Sequence, residues 1–254
     1  MNTTTHPPNI SVLRVELAAI DSLRQAFLQE NKFQFIHNKC HQYSWADTYL
    51  FLLDDVTAGY GSVWGKDHRE DRDCIFEFYL LPPFRRWANM FFRELRLVAK
   101  TAYAECQTND PLLSSLFFEN ARNIQTEAIL FEDHITTALT VTDTTFYRQD
   151  TESKNPDELG GYVLEHHGHV IARGGLMLNY NFPYADLYMD VLEAYRGQGF
   201  GSFIVQELKK AALEAGRVPA ARCNVRNQVS KYTLLKAGFR VCGYLLQGEL
   251  PVST

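Results

Sequence analysis

Apolar residues recur along the chain with helical and strand periods in turn. Leu17, Ile20, Leu23, Ala26 and Phe27 fall three and four apart, which predicts a surface helix over 17–30. Trp45 to Leu53 and Tyr60 to Trp64 read as strands around an Asp54-Asp55 turn. Cys74 to Leu81 predicts another strand, stopped by Pro82-Pro83, which cannot continue a ladder. A helix is expected from Arg86 to Ala104, with Phe91, Leu95, Val98 and Ala102 on one face.

Thr140 to Gly161 then breaks the pattern with Asp143, Asp150, Glu152, Lys154, Asn155, Pro156 and a Gly160-Gly161 pair. Little there can bury itself, so it reads as a linker or long surface loop. It predicts a division into residues 1–139 and 140–254. Beyond it, Tyr162 to Glu165 and Val170 to Leu178 predict a hairpin around His166-His167-Gly168-His169. A strand over 186–192, a glycine-rich turn and a helix over 202–215 follow. Phe200, Ile204, Leu208, Ala211 and Ala215 form the buried stripe of that helix, and Gly216 stands at its end. A strand over 218–225, a helix over 230–237 and a strand over 240–246 complete the chain.

The two parts share an order of elements. Each has a strand leading to an aromatic-Arg pair (Phe84-Arg85, Tyr195-Arg196), a helix with a Glu-Leu pair, and a strand carrying Ala and Cys (Ala104 to Cys106, Ala221 to Cys223). That order suggests duplication, with convergence of two ordinary α/β units as the alternative.

Composition narrows the function classes. An apolar fraction of 46% supports a sizeable core. A formal charge of −5 argues against a nucleic-acid surface, which carries clustered Lys and Arg in excess. Five scattered cysteines without a CxxC pair suit reduced thiols better than a disulfide framework. No basic segment followed by an apolar run opens the chain, and no stretch has the length of a membrane span. The expected compartment is the cytoplasm. Asn2-Thr3-Thr4 fits a glycosylation acceptor, but without a secretion signal the match is chance.

Chemistry concentrates at Arg196-Gly197-Gln198-Gly199-Phe200-Gly201-Ser202. A strand, a glycine-rich turn and a helix in that order place backbone N–H groups and the positive helix end at one point. Glycines let a diphosphate approach the main chain, Arg196 adds charge, and Ser202 offers a hydroxyl. A tight connection that binds nothing is the plain alternative. A dinucleotide fingerprint needs GxGxxG, and a P-loop needs Lys-Ser or Lys-Thr after the glycines; neither is present.

The run Val191-Leu192-Glu193-Ala194-Tyr195-Arg196-Gly197-Gln198-Gly199-Phe200-Gly201 resembles the acyl-CoA loop of the GNAT N-acetyltransferase superfamily, whose pattern is Arg/Gln-x-x-Gly-x-Gly/Ala. Asn227-Gln228-Val229-Ser230, followed by Gly238-Phe239, is similar to the family's second signature. The resemblance covers about residues 160–246. It implies an α/β (α+β) fold with a mixed, mostly antiparallel sheet and flanking helices, in two tandem halves if the first part shares it. It also implies acetyl-CoA as acyl donor and a small-molecule or protein amine as acceptor. By that resemblance Asp190 and Val191 meet the pantetheine arm, Arg196, Gly197, Gln198, Gly199, Phe200, Gly201 and Ser202 hold the pyrophosphate, and Asn227 and Ser230 contact the arm from the facing helix.

The pattern departs where many members carry a tyrosine as the acid that reprotonates the leaving thiolate: here Leu234 stands there. Tyr232 lies two residues earlier and is expected to point away, being 200° round the helix. A catalytically weak acyl-CoA-binding regulatory module is therefore the alternative to an enzyme. Asp190, Tyr188 and Glu193 are the candidates for the base, Asp190 foremost because it lies at the expected splay of the strand. The corresponding place in the first part, Phe84-Arg85-Arg86-Trp87-Ala88-Asn89-Met90, has no glycine. That part is expected to have lost the cofactor and to complete the substrate cleft. Too little sequence separates the linker from Tyr162 for a full front half, although Thr145 to Arg148 could be its first strand.

No metal is expected. His37 and His41, four apart around Cys40, have no third or fourth ligand at motif spacing, and His166, His167 and His169 sit in a polar turn. Trp45, Trp64 and Trp87 read as core. No membrane partner is expected, and a homodimer is compatible with the sequence.

Overall fold

The computed structural model describes residues 9–30, 34, 38–149 and 157–251. Asn2 and His37 lie outside them, as do residues 150–156 of the expected linker. In chain order the elements are β1 (Ile10–Val15), α1 (Asp21–Glu30), α2 (Asn38–Gln42), β2 (Asp47–Leu53), β3 (Val56–Trp64) and β4 (Cys74–Leu80). Next come α3 (Ala88–Ala99), β5 (Tyr103–Gln107), α4 (Pro111–Asn120), β6 (Arg122–Asp133) and β7 (Thr144–Arg148). The last are β8 (Glu158–His166), β9 (His169–Met177), β10 (Tyr184–Val191), α5 (Phe200–Glu214), β11 (Val218–Asn224), α6 (Gln228–Lys236) and β12 (Phe239–Glu249). No described helix is long and apolar enough to cross a membrane.

Two compact units emerge, Met1–Lys32, Lys39–Gln125 and Leu245–Thr254 in the first, Phe33–Asn38 and Thr126–Tyr244 in the second. The division lies elsewhere than between 139 and 140. The cause is pairing: β6 runs antiparallel to β11, with Ala128 to Glu132 opposite Asn224 to Ala220. The coil after β6 is then tied to α5, where the buried Gln206 accepts from Leu139 N at 2.7 Å and Lys209 Nζ donates to Ile135 O at 2.8 Å. The expected linker also contains structure, since β7 pairs with β8 from Thr144↔His166 to Arg148↔Tyr162.

In the first unit the strands run β1-β2-β3-β4-β5-β12. The β2–β3 hairpin turns at Asp54 and Asp55, both with positive φ, as a two-residue turn matched to strand twist requires. Phe51, Phe78, Phe91, Phe92 and Leu95 build its core between sheet and α3. The helix expected to reach Ala104 ends at Ala99, capped by Lys100 in the left-handed region, because Tyr103 and Ala104 pair with Cys74 and Ile75. Val98, in the last turn of that helix, is exposed, not core. Leu245 to Glu249 of β12 pair with β5, which lengthens the strand expected to stop at Leu246.

In the second unit the order is β12-β6-β11-β10-β9-β8-β7. Ala185, Leu187 and Val191 of β10 pack against Phe200, Ile204, Leu208 and Ala212 of α5. The alternation of β10 therefore turns Asp186, Tyr188 and Asp190 to the opposite face. The His166–His169 hairpin forms as expected, with the turn at His167-Gly168. Both units show the same scheme: three antiparallel strands, a helix, and a parallel strand (β4 with β5, β10 with β11). The mixed, mostly antiparallel α/β sheet expected from the sequence is thus present.

Candidate active site

β10 and β11 pair only through Tyr184↔Val218, Ala185↔Pro219 and Asp186↔Ala220. Beyond that point β11 continues against β6 alone, and β10 against β9. The two parallel strands therefore part, and the edge of β10 from Leu187 to Val191 is open to a ligand's hydrogen bonds. The splay anticipated at Asp190 begins after Asp186.

The exit from β10 leads directly to the amino end of α5. Leu192 is extended, Glu193–Tyr195 make one tight helical turn, and Arg196 reaches back so that its Nε donates to Val191 O at 2.9 Å. Gly197 and Gly199 have φ of 78° and 93°, values that side chains resist. A Cβ on Gly197 would meet nothing within 4 Å, so the space over it is open. Gly199 is the N-cap of α5 and no side chain caps that helix. The first-turn N–H groups therefore face the cavity with the positive end of a four-turn helix behind them.

α6 forms the facing wall. Asn227 caps it, its Oδ1 accepting from Ser230 N at 3.0 Å, as asparagine at this position commonly does. Leu234 and Ala237 are buried in the core, and Lys209 Nζ donates to Ala237 O at 3.0 Å, which ties the carboxyl end of α6 to α5. Ser230, Thr233 and Lys236, spaced by three, are thereby turned toward the glycine turn. A Cβ on Gly201 would stand 3.3 Å from Thr233, and one on Gly199 4.0 Å from Lys236 Nζ.

These walls enclose a cavity of about 650 Å³. Of the residues assigned from sequence, Asp190, Val191, Arg196, Gly197, Gly199, Gly201, Ser202, Asn227 and Ser230 line it. Phe200 does not: its side chain packs in the core and only its main chain belongs to the turn. Gln198 is turned back onto Ala194 O at 3.2 Å. Tyr188 and Glu193 are also outside the lining. Tyr188, on the opposite face of β10, donates its hydroxyl to Glu158 and lies over Gly160 and Gly175, where a Cβ would collide with the phenol. Burial, reinforced by the Glu158 carboxylate, pushes its ionisation up, so it stays a donor at neutral pH. Asp190 lines the cavity but pairs with Arg196, Oδ1 to Nη2 at 3.3 Å, and is largely solvent-exposed.

Also in the lining, and unassigned from the sequence, are Met189, Val229, Thr233 and Lys236. The last three had a signal in the three- and four-residue spacing of 229, 230, 233 and 236 on one helix. Tyr232, expected to point away, lines the cavity and is 65% exposed, whereas Leu234 points into the core. Among the described residues no three His, Cys, Asp or Glu side chains gather as metal ligands. His41 instead contacts Glu77 in the first unit.

Two models of the acetyltransferase (GNAT) family match the chain, one over residues 16–134 and one over 125–239. The chain belongs to the GNAT acetyltransferases. Both halves carry the family fold, so the repeat suggested by element order is a tandem of GNAT domains. A GNAT-family acetyltransferase from Colwellia psychrerythraea is similar in structure, with TM-score 0.74 at 18% identity, 95% of this chain and 100% of that one being covered. A tandem GNAT protein from the clavulanic acid biosynthesis pathway is similar at TM-score 0.60 and 10% identity, covering 97% and 100%. A GCN5-related N-acetyltransferase from Sphaerobacter thermophilus follows at 0.54 and 12%, covering 97% and 98%. These likenesses concern the fold. No curated protein sequence matches.

Proposed function

We propose that the second unit transfers an acetyl group from acetyl-CoA directly to a primary amine of a small molecule or protein. One observation carries this reading: the parting of β10 from β11 opens beside an uncapped helix end whose approach is made of positive-φ glycines. A diphosphate fits that end, where Arg196 and Lys236 supply positive charge and no Cβ intrudes at Gly197. A pantetheine arm fits the open edge of β10, which offers amide and carbonyl partners in a row. The thioester supplies an electrophilic carbon and a thiolate leaving group.

The amine must arrive neutral and lose a proton on attack. Asp190, foremost among the sequence candidates, is engaged with Arg196 and is assigned the holding of that guanidinium. Glu193 stands outside the cavity. Tyr188 lies two residues past the last β10–β11 pair and is hydrogen-bonded to Glu158, so the Tyr188–Glu158 pair is the assigned path for the amine proton. Leu234 offers no acid to the leaving sulfur, and the thiol of CoA is acidic enough to depart without one.

The test is calorimetric titration with acetyl-CoA combined with thiol release over a panel of primary amines. Saturable binding at micromolar concentration and amine-dependent thiol release are expected. Binding of NAD or ATP that CoA cannot displace, with no acetyl-CoA binding, would sink the reading.

A further inference from the structure

The face of the second unit opposite α5 carries a second set of polar groups at the apex of the splay. Asp186, Tyr188 and Arg222 all leave that face: their neighbours Ala185, Leu187, Ala221 and Cys223 belong to the core beneath α5. Arg222 Nε lies 3.4 Å from Asp186 Oδ2, and its Nη2 donates to the hydroxyl of Tyr180. The guanidinium also lies over the Tyr180 ring, 5.3 Å from its centroid. It is thus held in one orientation, with a third of its side chain open to solvent. On either side of Tyr180, Asn179 and Asn181 are buried, at 7% and 2% exposure, and the amide oxygen of each has no hydrogen-bond partner among the described residues.

An acyl carrier entering from the α5 side reaches the apex of the splay near residues 187–189. The acceptor must then come from the other face, where these groups stand. One oriented guanidinium matches a monoanionic carboxylate, which it can grip with two parallel hydrogen bonds. A phosphate dianion fits worse, since Asp186 flanks the guanidinium and would repel a second negative charge. The Glu158 carboxylate, reached through the Tyr188 hydroxyl, suits an amine.

Resting on the acetyltransferase reading, we propose that the acceptor is an amino acid, its carboxylate held by Arg222 and its amine presented at the Tyr188–Glu158 pair. Arg222 is on this account a specificity-determining residue. Asp186 and Tyr180 are positioning residues that orient it.

The experiment compares amino acids of α-, β- and γ-spacing with the matched amines lacking the carboxylate and with the carboxamides, using acetyl-CoA turnover by the full chain. At least one amino acid is expected to exceed its matched amine in kcat/KM by roughly 10–100-fold, the range of a charge-assisted hydrogen-bonded pair. Arg222→Gln should collapse that ratio toward unity through KM, with acetyl-CoA affinity retained as the check on folding. The double variant Asp186→Asn/Arg222→Gln, which leaves no lone carboxylate behind, should collapse it equally. Matched amines or carboxamides that equal the amino acids in the wild type would overturn the proposal, as would variants that keep the ratio. If acetyl-CoA binds but neither turnover nor calorimetry on the CoA-saturated protein detects any amino acid, this inference fails while the acetyl-CoA site stands. If acetyl-CoA itself does not bind, the acetyltransferase reading fails first.

Discussion

The connections from β4 to α3 and from β10 to α5 leave their strands alike. Leu81 and Leu192 hold nearly the same extended conformation, φ −55° and ψ 142° against φ −53° and ψ 137°. In each case a tight helical turn follows and an arginine reaches back five residues to a strand carbonyl, Arg85 Nε to Leu80 O at 3.2 Å and Arg196 Nε to Val191 O at 2.9 Å. They part company one turn later. In the first unit the N-cap is Trp87 at φ −100°, and Phe84 and Trp87 pack against the core. In the second it is Gly199 at φ 93°, with open space over Gly197. Counted back from these carbonyls, Glu77 corresponds to Tyr188. Glu77 is 2% exposed beneath Arg24, His41 and Tyr60, whereas Tyr188 is 39% exposed. One backbone plan therefore yields a filled, ion-locked half and an open one. The plan sets where a site can be, and side-chain volume decides whether it exists.

Removing the glycine should erase the difference most completely. Gly199→Val puts a branched side chain at a positive φ, at a cost of about 1–3 kcal/mol in strain alone, and shields the helix end. Acetyl-CoA affinity should fall on the order of 100-fold or more. Calorimetry should give one site per wild-type chain; two equivalent sites would mean that the first unit's connection also binds, and the contrast would be lost.

The next effect belongs to the filled half. Glu77 Oε1 and Oε2 lie 3.3 and 3.1 Å from Arg24 Nη2 and His41 Nε2, and Tyr60 donates to Oε2 at 3.2 Å. Although burial opposes its ionisation, Arg24 and then His41 hold its carboxyl well below the usual range. Glu77→Gln removes the buried carboxylate that Arg24, His41 and Tyr60 share and should cost about 3–5 kcal/mol in chemical denaturation, with acetyl-CoA affinity unchanged. A depressed folded pKa contributes stability above the unfolded value, lost as pH falls below it. The first unit should thus be the acid-sensitive one.

Asp110 works in the opposite direction. It caps α4 through Leu113 N at 3.1 Å, yet burial pushes its carboxyl up to about 7. Between the unfolded value of about 4 and that value the folded state binds the extra proton, so stability falls as pH rises through this window. Asp110→Asn keeps the cap and removes the titration. Melting temperature should then be flatter from pH 4 to 7 by several degrees relative to wild type; an unchanged slope would assign the pH dependence elsewhere.

The smallest effect concerns Asp190. Its pair with Arg196 is exposed, so Asp190→Asn should change stability by less than about 1 kcal/mol. Acetyl-CoA affinity should move only a few-fold, with the pH–rate profile intact. Glu158→Gln should instead alter the acid limb of that profile. A profile that responds to Asp190→Asn alone would return the base to Asp190.

Much of the second unit was legible in the chain because its signals are local. A glycine pair in the Arg-Gly-Gln-Gly turn and an amphipathic stripe from Phe200 to Ala211 each act within a few residues, and the structure has a turn and a helix there. The first unit was less legible. β1, α4 and β6 went unassigned, and α3 was drawn too long, because Lys100 caps the helix in the left-handed region and Tyr103 and Ala104 pair with Cys74 and Ile75.

By itself, then, the sequence determined the glycine turn, the family signatures and the absence of glycine in the first half, since backbone conformation at such turns depends on the residue that occupies them. Only the tertiary structure decided that β6 joins β11 and β12 joins β5, because strand partners are chosen by long-range pairing that no local pattern encodes. It also decided that Tyr232 lines the cavity and Leu234 does not, and that Arg222 meets Asp186 and Tyr180. Those outcomes follow from how a helix rotates onto its core and how two parallel strands part, which the packing of the whole unit sets.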